Sequence, residues 1–167
     1  VIAAADAVRK DGPDLILTVG GGTPIDTVKI LQLVLAHGAR LPEDLDRLRA
    51  PELKEARPSP VRQVAIPTTL SGAEFSNLGG GTDLRTRIKH SFMGADIGAR
   101  SVILDPAITL HTPEWLWLST GIRGVDLVCR LLEQLLQLGA GQVLIQRQQQ
   151  ARDAGHEWCG GRSAAER

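Results

Sequence analysis

The chain has 167 residues, of which 43% are hydrophobic, and this suffices for one globular core with an extension. Its 19 basic and 19 acidic residues give a formal net charge of zero, so no field of one sign predicts nucleic acid or a membrane surface as a partner. No apolar run approaches the roughly 20 residues that span a bilayer. The two cysteines, Cys129 and Cys159, do not make a disulfide framework, so we predict a reducing, cytoplasmic compartment.

The first half of the chain alternates between helical and extended patterns. Residues 2–11 predict a helix, and "DLILTV" (14–19) predicts a short strand that is buried on both faces. A helical repeat of apolar residues follows over 24–37, and "VRQVAI" (61–66) alternates as a second strand. A strand, a crossover helix and a strand form a βαβ unit, so we predict an α/β fold with a parallel sheet.

The rest of the chain adds a third strand and then helix-rich sequence. "SVILD" (101–105) predicts the strand, and the apolar helix after it places Trp115 and Trp117 in the core. Seven of the nine glutamines lie in residues 127–167, where no sustained period follows the helical pattern of "LLEQLLQL". We expect that tail to be poorly ordered.

Three glycines, Gly20–Gly22, separate the first strand from the helix. Thr23 is expected to cap that helix, with Pro24 at its first position and Asp26 in a capping-box arrangement. The same geometry suits a diphosphate, because glycines admit a close ligand and helix-start N–H groups attract anions. The usual dinucleotide fingerprint fails at Ile25, so a plain turn and a nucleotide site both remain open.

A second polar stretch, "AIPTTLSGAEFSNLGGGTD" (65–83), follows the second strand. Thr68, Thr69 and Ser71 offer hydroxyl groups, and Gly72 gives the backbone freedom. In a parallel sheet this loop leaves the same carboxyl edge as the glycine turn, where ligands bind. The alternative is a solvated Ser/Thr loop without a ligand.

Five stretches occur together in one order: "GGGTPIDTVK" (20–29), "IPTTLSGAEFS" (66–76), "DLRTRIKHSF" (83–92), "VILDPAITLHTP" (102–113) and "WLSTGIRGVD" (117–126). In these the sequence resembles the iron-containing alcohol dehydrogenase family, closest to its maleylacetate-reductase-like branch. The resemblance implies a Rossmann-like dinucleotide-binding domain over 1–112 that lacks its first part. It further implies the beginning of a helical domain over 113–138, before a divergent tail over 139–167.

The resemblance also implies an activity and a set of site residues. Family members move hydride between NAD or NADP and a small alcohol or carbonyl substrate, and full-length members are expected to form homodimers. By this resemblance Gly20, Gly21, Gly22 and Thr23 line the pyrophosphate, Asp26 and Lys29 support the turn, Thr68, Thr69 and Ser71 lie along the cofactor, and Lys89 lies near its ribose and nicotinamide.

Metal binding is where the sequence departs from the family. An Asp and three His hold a divalent metal, iron or zinc, in the wider family, and Arg123 stands at the Asp position here. The similar branch continues as D-H-x-x-E after the match ends, where Leu127 and Arg130 replace the His and the Glu. The four histidines form no H-x-x-x-H pair, so we expect no metal site, and the catalytic residues stay unassigned.

The break after Asp126 suggests two alternatives to an active dehydrogenase. The chain is either a nucleotide-binding module without catalytic activity or a non-functional product. The match ends at one position, where glutamine usage also rises, so we hypothesise that residues 127–167 are translated out of frame. Translation of the encoding DNA in the other two frames should then restore a D-H-x-x-E continuation.

Overall fold

A computed structural model describes residues 1–53, 55, 57–94, 96–126, 128, 129 and 132–137. The chain divides into two compact units, Val1–Gly124 and Val125–Arg167, and the described residues of the second unit are helical. The expected tail over 139–167 lies outside the described residues, as do the departures at Leu127 and Arg130.

Helices and strands alternate through the first unit. In chain order they are α1 (Ile2–Asp11), β1 (Leu15–Gly20), α2 (Gly22–Ala36), a 3-10 helix (Pro42–Leu48), β2 (Arg62–Pro67), a short 3-10 turn (Ala73–Phe75), β3 (Leu78–Asp83), β4 (Ile88–Met93), β5 (Ser101–Val102) and α3 (Pro106–Thr109). A further helix, α4, covers residues 114–126.

The first sheet is parallel, in the order β1-β2-β5. Leu15 lies opposite Arg62 and Gly20 lies opposite Pro67, so β1 and β2 end at the same edge. The predicted βαβ unit and α/β fold are therefore confirmed. The third strand was predicted over five residues, but only Ser101 and Val102 pair with β2.

The prediction that β1 is buried on both faces is wrong. Thr18 is buried and its hydroxyl accepts a hydrogen bond from Gln63, on the face that α2 covers. Leu15, Leu17 and Val19 point the other way and are 53%, 56% and 49% exposed. Successive side chains of a strand alternate between faces, so burial of both requires a layer on each side. In the described residues the packed helices α1 and α2 provide one such layer.

The core gathers around α2, which contacts α1, β1, β2 and β3. Its buried side chains lie with residues from α1, from the first 3-10 helix and from β4: Ala5, Ile30, Leu31, Leu33, Val34, Ala39, Leu48, Phe92 and Ile97. A helix surrounded in this way is apolar around most of its circumference. α2 therefore forms the rigid element on which the candidate site is built.

A hairpin of β3 and β4 replaces much of the loop expected over 65–83. Its first strand contains Gly79–Gly81, a run that resembles a loop because glycine has low strand propensity. A Cβ on Gly79 would lie 3.2 Å from the Asp26 carbonyl oxygen, and one on Gly81 would lie 2.7 Å from Ile30 Cδ1. The strand thus needs glycine because it runs directly against α2.

The helix over 114–126 does not bury both of its tryptophans. Trp115 is 70% exposed, which contradicts its expected place in the core, while Trp117 is half-buried. An apolar helix buries only the face that a neighbour covers. Within the described residues, no helix combines the length and apolarity that a bilayer crossing requires.

Candidate functional site

The glycine turn joins β1 to α2, as predicted. Gly20 ends the strand with φ +154°, and a Cβ there would lie 2.5 Å from Pro24 Cγ. Gly21 is the N-cap residue, with an extended backbone at φ −83° and ψ −160°. The helix begins at Gly22. The three glycines therefore make an abrupt change of direction that a side chain at Gly20 would block.

Thr23 does not cap α2, so this prediction is wrong. The helix begins two residues earlier than expected, which places Thr23 inside the first turn, where its carbonyl oxygen accepts from Thr27 Oγ1 at 2.8 Å. Glycine occupies the N-cap position instead, and it carries no side chain that could accept from the first turn. The N-cap residue therefore offers no side-chain acceptor to the first backbone N–H groups of α2.

Asp26 makes no capping box either, because its carboxylate accepts hydrogen bonds from Lys29 and from the Gly80 backbone instead. Asp26 Oδ2 accepts from the Gly80 backbone N–H at 3.0 Å. The Lys29 side chain is fully buried. Four oxygen atoms lie within hydrogen-bond distance of its ammonium and share its three N–H groups: Asp26 Oδ1 at 3.1 Å, the carbonyl oxygens of Ala73 at 2.5 Å and Leu78 at 2.7 Å, and Ser76 Oγ at 3.2 Å. Lys29 thus ties the start of α2 to the loop after β2 and to the hairpin.

The loop after β2 lies against the glycine turn. A Cβ on Gly21 would lie 2.9 Å from Thr69 Cγ2 and 3.0 Å from Thr69 Oγ1. A Cβ on Gly22 would lie 3.0 Å from Ser71 Oγ. The absence of side chains on the turn therefore lets two hydroxyl-bearing residues reach the start of α2. The two predicted groups of site residues come together at one edge of the sheet.

Thr68 fixes this loop from both sides. Its N–H donates to the Gly20 carbonyl oxygen at 2.9 Å, and its own carbonyl oxygen accepts from Thr112 Oγ1 at 2.7 Å. The Leu70 N–H donates to Thr120 Oγ1, in α4, at 3.2 Å. Hydrogen bonds to its backbone thus hold the loop, and the Ser71 hydroxyl accepts a further one from the Ala73 N–H at 3.4 Å.

Lys89 lies on the hairpin, exposed to solvent, opposite Thr82. A Cβ on Gly80 would lie 3.2 Å from Lys89 Nζ and 3.6 Å from Asp26 Oδ2. The Lys89 ammonium and the Asp26 carboxylate therefore both lie beside Gly80 of the hairpin. Its assignment as a cofactor contact stays a prediction.

A cavity of about 390 Å³ opens beside the glycine turn, at the carboxyl end of β2. Two of its lining residues, Thr69 and Glu74, are each 6% exposed. Thr69 Oγ1 and Glu74 Oε2 are buried without a hydrogen-bond partner in the described part of the chain. The sequence pattern does not single out Glu74, and the available signal was one acid within the otherwise uncharged "TTLSGAEFS".

Metal ligands cannot be assigned in this region. Across the described ranges, no three His, Cys, Asp or Glu side chains lie close enough together to hold an ion. His37 is the C-cap residue of α2, and its backbone N–H donates to the Leu33 carbonyl oxygen at 3.0 Å. Burial, and then the nearby Arg57 guanidinium, lowers the pKa of His37. The described residues therefore do not fit an iron site.

Comparisons with known proteins agree with this geometry. A sequence model of the family described as iron-containing alcohol dehydrogenase matches residues 1–106. The dehydrogenase FUM7 of Gibberella moniliformis is 38% identical over 132 residues, which cover 71% of this chain and 30% of that protein. The NAD-dependent methanol dehydrogenase of Bacillus methanolicus is 30% identical over 139 residues, which cover 83% and 34%.

A solved structure shares the fold. The crystal structure of maleylacetate reductase from Agrobacterium tumefaciens matches with a TM-score of 0.52 at 25% identity, covering 72% of this chain and 27% of that one. The chain spans about a third of the length of the curated relatives, which match over 30% and 34% of their own lengths.

Proposed function

Because the chain belongs to the iron-containing alcohol dehydrogenase family, we propose that it forms the cofactor-binding part of an NAD- or NADP-dependent oxidoreductase. The bound nicotinamide would supply or accept the hydride, and an alcohol or carbonyl compound would be the small-molecule substrate. The chain's own residues bind and orient the cofactor. The similar methanol dehydrogenase is named as NAD-dependent, which supports this choice of cofactor.

The observation that carries the proposal is the uncapped start of α2. A helix start presents about half a positive charge, and here the first turn has no side-chain acceptor among the described residues. Thr69 Oγ1 lies beside it, buried and without a partner. An anionic diphosphate would satisfy the N–H groups and the hydroxyl together. The residues present therefore fit the diphosphate of a dinucleotide.

Each group of predicted site residues would hold a different part of the cofactor. Gly20, Gly21, Gly22 and Thr23 would line the diphosphate, Asp26 and Lys29 would hold the turn, Thr68, Thr69 and Ser71 would lie along the cofactor, and Lys89 would approach its ribose. Hydride transfer needs reacting carbons about 3–3.5 Å apart, so a rigid turn serves catalysis by orientation.

Calorimetry with NAD⁺ and NADP⁺ on the full chain tests this proposal. We expect one of them to bind the wild-type chain and Gly21→Val to abolish binding, because the new side chain meets Thr69 and the anion's approach. Gly124→Val is the matched control, since a Cβ there meets nothing within 4 Å. Unchanged affinity of a folded Gly21→Val chain, checked by thermal unfolding, would place any cofactor elsewhere.

The chain by itself should show little dehydrogenase activity and hold less than one equivalent of iron or zinc. Polarising a carbonyl requires a metal or positioned donors, and the described residues contain no ligand cluster for an ion. Metal analysis of purified protein, together with absorbance of the reduced cofactor in the presence of alcohols, measures both. Stoichiometric metal contradicts this expectation. Nucleotide binding without turnover supports the module, and loss of both supports a non-functional product.

A further inference from the structure

A second cavity, of about 420 Å³, is lined by α2, by the first 3-10 helix and by the β3–β4 hairpin. Its walls are mostly apolar and include Ile30, Pro42, Leu45, Leu84 and Phe92. A volume of this size with apolar walls is typical of pockets that enclose small organic molecules. The residues proposed to hold the dinucleotide are not among these walls, so the cavity is a separate feature of the fold.

The alternation of side chains along β4 explains this separation. Lys89 and His90 are neighbours in the strand, so their side chains point to opposite faces of the hairpin. Lys89 is exposed, whereas His90 lines the cavity together with Phe92, two residues further along the strand. The cavity therefore lies on the opposite face of the hairpin from the lysine that is proposed to approach the cofactor.

Two residues of the cavity walls carry a buried nitrogen atom that has no hydrogen-bond partner in the described part of the chain. These atoms are Arg49 Nε and His90 Nε2. A buried polar atom left unpaired lowers stability, so native proteins complete such atoms with a ligand or water. Arg49 Nε only donates, while His90 Nε2 donates or accepts according to its tautomer. A hydroxyl group complements both, because its oxygen accepts and its hydrogen donates.

Ion pairs beside the cavity decide the charge of a ligand that fits it. Arg49 Nη2 pairs with Asp46 and lies 3.1 Å from Asp83 Oδ2. Arg85 Nη2 lies 2.8 Å from Asp83 Oδ2 and 2.9 Å from Asp46 Oδ1. Hydrogen bonds from Arg85 hold the pKa of Asp83 well below its usual range, so this carboxylate stays charged. An anion would meet arginines that are already paired and a carboxylate that repels it, so the site suits an uncharged ligand.

We propose that this cavity is a second small-molecule site, which binds an uncharged hydrocarbon molecule through one hydroxyl group held by Arg49 Nε and His90 Nε2. Hydrogen bonding and apolar contact define this ligand, and hydride transfer plays no part in its recognition. The site therefore accepts a tertiary alcohol, which has no hydrogen on its carbinol carbon and cannot supply hydride. Binding of a tertiary alcohol can then be measured without any reaction.

Calorimetry with 1-methylcyclohexanol on the full chain, without nucleotide, tests this inference. We expect one binding site for the alcohol. The charged counterpart 1-methylcyclohexane-1-carboxylate has the same ring and should bind at least roughly tenfold more weakly. Leu45→Trp fills the cavity and should abolish binding of the alcohol. The matched control is Leu41→Trp, because Leu41 is 60% exposed and lies outside the cavity walls.

Substitution of His90 tests whether the hydroxyl group is recognised. His90→Phe keeps an aromatic ring and removes Nε2, so the alcohol should bind roughly fivefold more weakly. The midpoint of thermal unfolding should not fall, because Nε2 has no partner among the described residues to lose. A purely structural role for His90 would instead lower that midpoint. The control is His111→Phe, at an exposed position outside the cavity walls, which should keep the wild-type affinity for the alcohol.

Several outcomes would overturn the inference. They are the absence of alcohol binding to the wild-type chain, and equal binding by Leu45→Trp and Leu41→Trp, which would place the alcohol on an exposed apolar surface. Equal affinity for the carboxylate and the alcohol, or wild-type affinity in folded His90→Phe, contradicts recognition of the hydroxyl group. If His90→Phe does not fold, the carboxylate and Leu45→Trp still decide the result. All these measurements omit nucleotide, so the inference and the proposed function fail separately.

Discussion

The chain contains the tripeptide Gly-Gly-Gly followed by Thr twice, at Gly20–Gly22 and at Gly79–Gly81, and the two copies have different structures. The first forms the turn between β1 and α2, with a positive φ at Gly20. The second lies inside β3, with no positive φ. What decides the conformation is the neighbour that each copy must approach, which is the Thr69 loop for the first and α2 for the second.

One ion pair, between fully buried Lys29 and partly buried Asp26, connects the two copies. Asp26 lies in α2 just after the first triplet, and its carboxylate accepts from the backbone N–H of Gly80 in the second. Lys29 donates to Asp26 and to the Leu78 carbonyl oxygen, immediately before the second triplet. The turn that should bind the anion and the strand beneath it therefore share one set of hydrogen bonds.

The largest predicted effect is the loss of stability when the ion pair between Asp26 and Lys29 is broken. Lys29→Met removes a fully buried ammonium, so Asp26 and two carbonyl oxygens lose a partner. We expect the free energy of unfolding to fall by about 3–5 kcal/mol, measured by urea denaturation. The matched control is Lys10→Met, at an exposed position of α1. This change should alter the free energy of unfolding by less than about 0.5 kcal/mol. Equal effects of the two variants would show that Lys29 does not hold the triplets together.

Substitutions in the second triplet, Gly79–Gly81, should lower stability by different amounts at different positions. Gly81→Ala should lower the free energy of unfolding by about 1–3 kcal/mol, because its Cβ would lie 2.7 Å from Ile30 Cδ1 in the core. Gly80→Ala should cost less than about 1 kcal/mol, because the atom it meets is the mobile end of exposed Lys89. Both variants should keep the nucleotide affinity that Gly21→Val loses. A loss of affinity in folded Gly81→Ala would show that the second triplet also binds ligand.

Substitution of Lys89 tests whether a ligand bound at the first triplet extends toward the second. We expect Lys89→Ala to weaken dinucleotide binding by at most about fivefold, since an exposed charge contributes up to about 1 kcal/mol. The free energy of unfolding should not change. Calorimetry at low and high salt checks this, because screening should shrink the difference between variant and wild type. Wild-type affinity at low salt would remove Lys89 from the site.

The smallest effect is expected at His37, which lies at the opposite end of α2 from the glycine turn. Burial and then Arg57 lower the pKa of His37, so its imidazole takes up a proton less readily in the folded chain than in the unfolded chain, where the pKa is near 6.5. Stability should therefore decline as the pH falls below about 6.5. His37→Gln should flatten that decline in urea titrations, without a change in nucleotide affinity. An unaltered pH profile in the variant would show that His37 does not contribute.

Local sequence determined the elements whose neighbours are close in the chain. The helix α1, the strands β1 and β2, the crossover helix between them and the glycine turn all follow from periodicity and from residues that break it. The parallel pairing then follows from the length of the crossover. The sequence also predicted that Thr68, Thr69 and Ser71 would lie at the same edge of the sheet as the glycine turn, because parallel strands end together.

Tertiary structure decided whatever depends on contacts between distant segments. Gly79–Gly81 is a strand because it meets α2, and Trp115 is exposed because its helix buries a different face. Asp26 does not cap the helix because the Lys29 ammonium and the Gly80 backbone N–H provide its carboxylate with other partners. The cavity with Glu74 arises only where the loop after β2 folds back beside residues 104–117. A linear pattern records which residues are apolar or polar, but the free energy of each depends on which atoms the rest of the fold brings against it.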